Sequence, residues 1–197
     1  MKKFTYILLL LIITITFTGC EKGSNTSNQS LMTGLHHVEI QVKDFGKIFV
    51  ELNASSAPIT VSNFIELAGD GFYDGLTFHR IMSDFMIQGG DPDGNGRGGS
   101  DKNIKGEFSS NGVENALSHT RGAISMARSS DYDSASSQFF IVQKDSIHLN
   151  GDYAAFGYVT DGIEIVDEIC ENTPVQDNNG TVNMADQPII TSIRVID

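Results

Sequence analysis

The sequence is short of cysteine, of basic residues and of long apolar runs, and each shortage closes off a class of protein. Cysteine occurs only at Cys20 and Cys170, so no disulfide framework holds the fold together. Lys and Arg number 13 against 25 Asp and Glu, a formal charge of -12 at pH 7. Phosphate backbones and anionic headgroups both call for clustered cations, so nucleic acid is excluded as a partner, and any membrane attachment has to be apolar or covalent. The most apolar run, Phe4 to Phe17, is 14 residues of aliphatic, aromatic and Thr side chains. A membrane-spanning helix needs ~20. What is there in ordinary amount is globular material: 40% hydrophobic and 19% charged residues in a chain of 197, enough for one compact domain with extensions.

The N-terminus has the shape of an export signal. Met1, Lys2 and Lys3 precede the apolar run, which has no polar face and ends in Phe17-Thr18-Gly19-Cys20. That tetrapeptide resembles a bacterial lipobox, with Phe17 where an aliphatic residue is usual. The expectation is a signal peptide at 1–19, a lipidated Cys20 and a tether through residue 35, with Glu21 to Thr33 mostly Ser, Asn, Thr, Gln and Gly. The mature protein would sit on the extracytoplasmic face of the cell membrane, held by lipid. Cys170, beside Ile169 in a helical pattern, is expected to be a small apolar filler.

From His37 the pattern is period two. Val38, Ile40 and Val42, then Ile48, Val50 and Leu52, flank a turn at Asp44-Phe45-Gly46 and predict a hairpin. Helical spacing with breakers at both ends predicts helices over 58–68 and 163–171. Strand patterns at 77–81, 85–88, 123–127, 139–142, 154–159 and 189–196 complete the set. The expected fold of 36–197 is mainly β, a closed antiparallel barrel of eight strands capped by two helices, which leaves no sheet edge exposed. The Gly- and Asp-rich stretch from Gly89 to Thr120 reads as a long functional loop.

Three motifs point elsewhere and fail. Asp91, Asp93, Asn95 and Gly96 open like a calcium loop, yet Lys102 stands where the bidentate acid belongs. Gly94, Gly96 and Gly99 spell a dinucleotide fingerprint with no apolar helix after it. His36 and His37 lack a third ligand at metal spacing. No nucleophile elbow is present, and neither metal nor cofactor is expected.

The chemistry-bearing residues fall in three clusters. Phe78-His79-Arg80-Ile81 and Phe85-Met86-Ile87-Gln88-Gly89-Gly90-Asp91 put a cation, an amide and large apolar side chains on two short adjacent strands. Alternation turns Arg80 away from His79 and Ile81 and puts Met86 on the face of Gln88. Ser125-Met126-Ala127-Arg128 with Ser137-Gln138-Phe139-Phe140-Ile141, and His148-Leu149-Asn150-Gly151-Asp152-Tyr153 before Ala154-Ala155-Phe156-Gly157, supply the rest.

In order and spacing these motifs resemble the cyclophilins, peptidyl-prolyl cis-trans isomerases built on an eight-stranded barrel, over roughly residues 36 to 196. The resemblance implies Arg80 as catalytic residue, a proline pocket of Phe85, Met86, Phe140 and Leu149, Gln88 as the amide touching substrate, and Ala127-Arg128 as the backbone-pairing segment. Gln138, His148 and Tyr153 complete the implied substrate-binding set. His148 stands where animal members carry a tryptophan that contacts cyclosporin, and the chain has no Trp, so weak sensitivity is expected. Tyr153 replaces the pocket histidine, and the Arg128 to Ser137 loop is one residue longer than the animal pattern and carries Asp131 and Asp133. The implied partners are proline-containing exported polypeptides, met by a monomer. Two other readings use the same residues: a chaperone that holds proline segments without turning them, and a purely structural surface lipoprotein.

Overall fold

The computed structural model describes residues 30–197. Cys20, the signal-like run and the tether as far as residue 29 lie outside the described residues. Residues 31–34, at the end of the expected tether, are docked: the Met32 N–H donates to Ser62 Oγ at 2.8 Å, and the Ala54 N–H donates to the Gly34 carbonyl at 2.8 Å. Among the described residues no helix is long and apolar enough to cross a membrane.

Eight strands and two helices occur in the expected order: β1 (Leu35–Val42), β2 (Gly46–Asn53), α1 (Pro58–Gly69), β3 (Thr77–Met82), β4 (Met86–Asp91), β5 (Ala123–Met126), β6 (Phe139–Val142), β7 (Ala155–Asp161), α2 (Ile163–Asn172) and β8 (Ile190–Val195). The hairpin forms as alternation dictates, with Val38 opposite Val50 and Ile40 opposite Ile48, all four buried. Pro58 opens α1, where its missing N–H costs nothing. The next donors are served from a distance: the buried Glu107 carboxylate accepts from the Ile59 N–H at 3.0 Å, the Thr60 N–H at 2.8 Å and the Thr60 hydroxyl at 2.7 Å. A carboxylate at a helix N-terminus also complements its dipole.

All ladders are antiparallel, in the order β3-β4-β6-β5-β7-β2-β1-β8. The sheet curls until its end strands approach. There the contact is an isolated bridge, Thr77 to Ile189, with Ile190 N–H to Leu76 O at 2.7 Å and Phe78 N–H to Pro188 O at 3.0 Å beside it. Among the described residues no ladder joins β3 to β8, so the architecture is a curled half-barrel of eight strands in place of the expected closed barrel.

The inner face holds an aromatic cluster: Phe64 lies 5.1 Å from Tyr73, 5.4 Å from Phe139 and 5.2 Å from Phe156, centroid to centroid. Cys170 packs into this core, where burial pushes its thiol up to about 12, the behaviour of a filler. On the other face a smaller apolar cluster gathers Met86, Ala123, Phe140 and Val142, with Phe85, Leu149 and Tyr153 against it. Phe139 and Phe140 are thus adjacent in the chain and on opposite sides of β6.

Strand bounds shift by a residue or two, most of all at β4. Strand β4 runs on to Asp91, into the segment expected to be loop, and starts at Met86 instead of Phe85. Phe85 belongs to the turn, which Asp84 makes by adopting φ 63°, a conformation Asp tolerates better than most residues. The calcium-like opening has a structural use: the buried Asp91 carboxylate accepts from the backbone N–H groups of Asp93, Asn95 and Gly96 and so shapes the loop after β4.

Candidate active site

The outer face of β3, β4 and β6 carries Arg80, Met86, Gln88 and Phe140, and the other predicted residues stand in the turns and loops beside it. Arg80 and Gln88 are cross-strand partners, as are Met82 and Met86. The ladder slips between Phe78 and Arg80, leaving His79 as the extra residue of a bulge. His79 and Ile81 are buried and Arg80 turns outward, as alternation required. Both ring nitrogens of His79 are buried without a hydrogen-bond partner, and burial lowers its pKa.

A cavity of about 210 Å³ opens beside Arg80. Its apolar bed is Phe85, Met86, Phe140 and Leu149, and Gln88, Ala127, Arg128 and Tyr153 complete the wall. Tyr153 meets Phe140 edge to face at 6.0 Å. His148 lies outside the wall but against it, tilted over Phe85 with centroids 5.9 Å apart. Gln138 sits behind Gln88.

Arg80 is held at the cavity by four hydrogen bonds. Its Nε donates to the Asn179 carbonyl at 2.8 Å, Nη2 to Asn179 Oδ1 at 3.2 Å and to Met82 Sδ at 3.0 Å, and Nη1 to Gln88 Oε1 at 3.2 Å. Gln88 Nε2 donates in turn to Gln138 Oε1 at 2.9 Å, and Gln138 Nε2 to the Gly98 carbonyl at 2.8 Å. The amides thus form one oriented chain from the guanidinium to the loop after β4. Burial lowers the Arg80 pKa, and neighbouring Tyr153 and Asp177 oppose it.

Arg128 is fixed differently. Its guanidinium lies over three rings, 4.7 Å from Tyr153, 4.9 Å from Tyr132 and 5.1 Å from Phe108, with Nε donating to the Asp152 carbonyl at 2.9 Å. A second cavity, also about 210 Å³, adjoins the first across Gln88, Ala127 and Arg128.

Sequence reasoning missed four contributors. Asn179 reaches Arg80 because residues 179–182 run along the outer edge of β3, with Arg80 bridged to Thr181 and the Ile81 N–H on the Gly180 carbonyl at 2.8 Å. Gly180 is required there: at φ +80° its Cβ would stand 2.2 Å from the Ile81 carbonyl oxygen. His119 stacks on Phe140 at 6.0 Å, and its ring bonds Asn150 and Ser125 at 3.0 and 2.9 Å, bracing the turn that carries Leu149. Tyr132 and Phe108 close the cage around Arg128. The Asn178-Asn179-Gly180 turn signal was visible in the sequence; its destination was not.

The comparisons with known proteins agree with this geometry. The family model for "Cyclophilin type peptidyl-prolyl cis-trans isomerase/CLD" matches residues 37–195. The chain is 48% identical over 123 residues to peptidyl-prolyl cis-trans isomerase B of Bacillus subtilis, covering 62% of this chain and 82% of that protein. It is 38% identical over 162 residues to a peptidyl-prolyl cis-trans isomerase of Acinetobacter baylyi, covering 77% of this chain and 81% of that one. A crystal structure of a cyclophilin-type isomerase from Cryptosporidium parvum, obtained in the presence of the dipeptide Ala-Pro, superposes with a TM-score of 0.72 at 32% identity, covering 82% of this chain and 99% of that one. With the match spanning nearly all the described residues and the motifs meeting around one cavity, the chain belongs to the cyclophilin-type peptidyl-prolyl cis-trans isomerases, a family of enzymes.

Proposed function

We propose that this isomerase turns X-Pro bonds at the cavity beside Arg80, with Arg80 as catalytic residue and Phe85, Met86, Phe140 and Leu149 as the seat of the proline ring. Rotation about a peptide bond meets a barrier of ~18–20 kcal/mol because the nitrogen shares its lone pair with the carbonyl. No bond has to break; the enzyme has only to favour the twisted amide, whose localised lone pair accepts a hydrogen bond that the planar amide cannot. A guanidinium suits this, being permanently charged and offering several donors in a rigid fork. The observation that carries the reading is the anchoring of Arg80 by Asn179 and Gln88 at the mouth of an apolar cup. Pre-set donors need no reorganisation as the amide twists. Lowering the barrier by roughly 5–7 kcal/mol corresponds to about 10⁴ to 10⁵-fold. Exchange spectroscopy on an Ala-Pro peptide tests it: wild type accelerates exchange and Arg80→Ala does not. A holding chaperone would bind the peptide equally with either protein and accelerate neither.

The lipobox-like Phe17 to Cys20 supports a second element: lipid attachment at Cys20, placing a monomeric domain on the extracytoplasmic face of the membrane to act on exported chains as they fold. Loss of lipid labelling in Cys20→Ser is the expected result, and unchanged labelling contradicts it. The Thr77 to Ile189 bridge and the hydrogen bonds beside it likewise support reading the curled sheet as closed over one short stretch between its end strands; fast amide exchange at Phe78 and Ile190 would contradict that.

A further inference from the structure

We infer that the cavity adjoining the proline cup takes an anionic side chain, the carboxylate of an Asp or Glu a few residues before the proline. The inference rests on the isomerase reading and adds a substrate preference to it. In a chain with nearly twice as many acids as bases, this cavity is lined by two cations, Arg97 and Arg128, by the hydroxyl residues Ser129, Ser134 and Ser136, and by no acid. Among the described residues neither arginine has a carboxylate within ion-pair distance.

Acids near in sequence are engaged elsewhere. Asp133 Oδ1 accepts from the Gly106 N–H at 3.0 Å and from Asn111 Nδ2 at 2.7 Å, and Asp152 Oδ1 accepts from the Ser110 hydroxyl at 2.7 Å. Asp91 and Asp93 lie against Gly98 and oppose the arginines in part, although three backbone N–H groups already hold the Asp91 carboxylate. Arg128 is preorganised: the rings of Tyr153, Tyr132 and Phe108 fix its guanidinium without neutralising it, so an incoming carboxylate meets a charge already in place.

The two cavities share a wall. Arg80 has to face the prolyl amide, and Gln88, bonded to Arg80, lines both cavities along with Ala127 and Arg128. On this inference the chain on the acyl side of the amide runs across Gln88 and Ala127 into the cationic cavity, a polarity that the peptide with Glu after the proline tests.

The test compares cis-trans exchange in Ala-Pro peptides carrying Glu, Gln or Lys two residues before the proline, with a control bearing Glu two residues after it. Partly exposed ion pairs are worth up to about 1 kcal/mol, so Glu is expected to exceed Lys in kcat/KM by about three- to fivefold at low salt, with the ratio falling toward one in high salt. Arg97→Gln should shrink the ratio and Arg97→Lys keep it, while Tyr132→Ala, which opens the cage, should also shrink it. Equal kcat/KM for Glu, Gln and Lys peptides in wild type, an undiminished ratio in Arg97→Gln, or the same gain from Glu after the proline would overturn the inference and leave the isomerase reading standing. No exchange with any peptide would remove both.

Discussion

Arg80 and Gln88 face one another across β3 and β4, and Arg80 Nη1 donates to Gln88 Oε1 at 3.2 Å. The amide thereby does two jobs, lining the cup and fixing the rotation of the guanidinium about its own axis. Gln88→Ala would cut the chain of amides at its middle and leave Arg80 with Asn179 and Met82 alone. The expected result is a loss of about tenfold or more in kcat/KM, consistent with one misaligned charge-assisted bond of about 1.5–3 kcal/mol. The urea midpoint should hardly move, since the residue is only half-buried on the outer face. A large stability loss with unchanged kcat/KM would reverse the assignment.

Phe139 and Phe140 separate folding from function. Phe139 is fully buried among Phe64, Tyr73 and Phe78. Its truncation to Ala is expected to cost about 3–5 kcal/mol in urea unfolding. Phe140→Ala empties the cup instead, so it should raise KM for proline peptides strongly with a smaller loss of stability.

His148 leans on Phe85 at the rim with an imidazole where a larger ring fits the family pattern. His148→Trp should extend the apolar lip and tighten cyclosporin binding by about tenfold or more, as expected for added buried aromatic area. Calorimetric titration of both proteins measures it.

His79 gives a pH signature. Burial lowers its pKa from the ordinary 6.5, with Asp91 raising it and Arg80 lowering it further. The unfolded chain therefore binds a proton that the folded one refuses, so the His79 contribution to stability is full above about pH 6.5 and is lost as pH falls below it, by at most about 1.4 kcal/mol per pH unit for one proton, with the buried His119 adding in the same direction. His79→Leu should flatten that decline relative to wild type in urea unfolding between pH 7 and 5.

β1 and β2 were legible because their burial is one-sided, with Val38, Ile40 and Val42 alternating strictly; β5 and β6, buried at every position, were legible as short apolar runs, and Pro58 marks the start of α1. The cup was legible because β3 and β4 form a hairpin and carry Arg80, Met86 and Gln88 close together in sequence. Asn179 was not, because its loop meets β3 across 99 residues of chain, a contact fixed by sheet order. The cage around Arg128 was hidden for the same reason: Phe108, Tyr132 and Tyr153 come from three separate loops. The bulge at His79 buries Phe78 and His79 in succession, a break in the alternation that a polar imidazole does not announce in the sequence.

The most direct test measures cis-trans exchange and peptide affinity together, on wild type, Arg80→Ala and Arg80→Lys. The expected result is catalysed exchange by wild type, loss of at least about a hundredfold in Arg80→Ala, and little recovery in Arg80→Lys, whose single ammonium cannot bond Asn179 and Gln88 while addressing the amide. Unreduced exchange in Arg80→Ala with equal affinity would contradict the central claim.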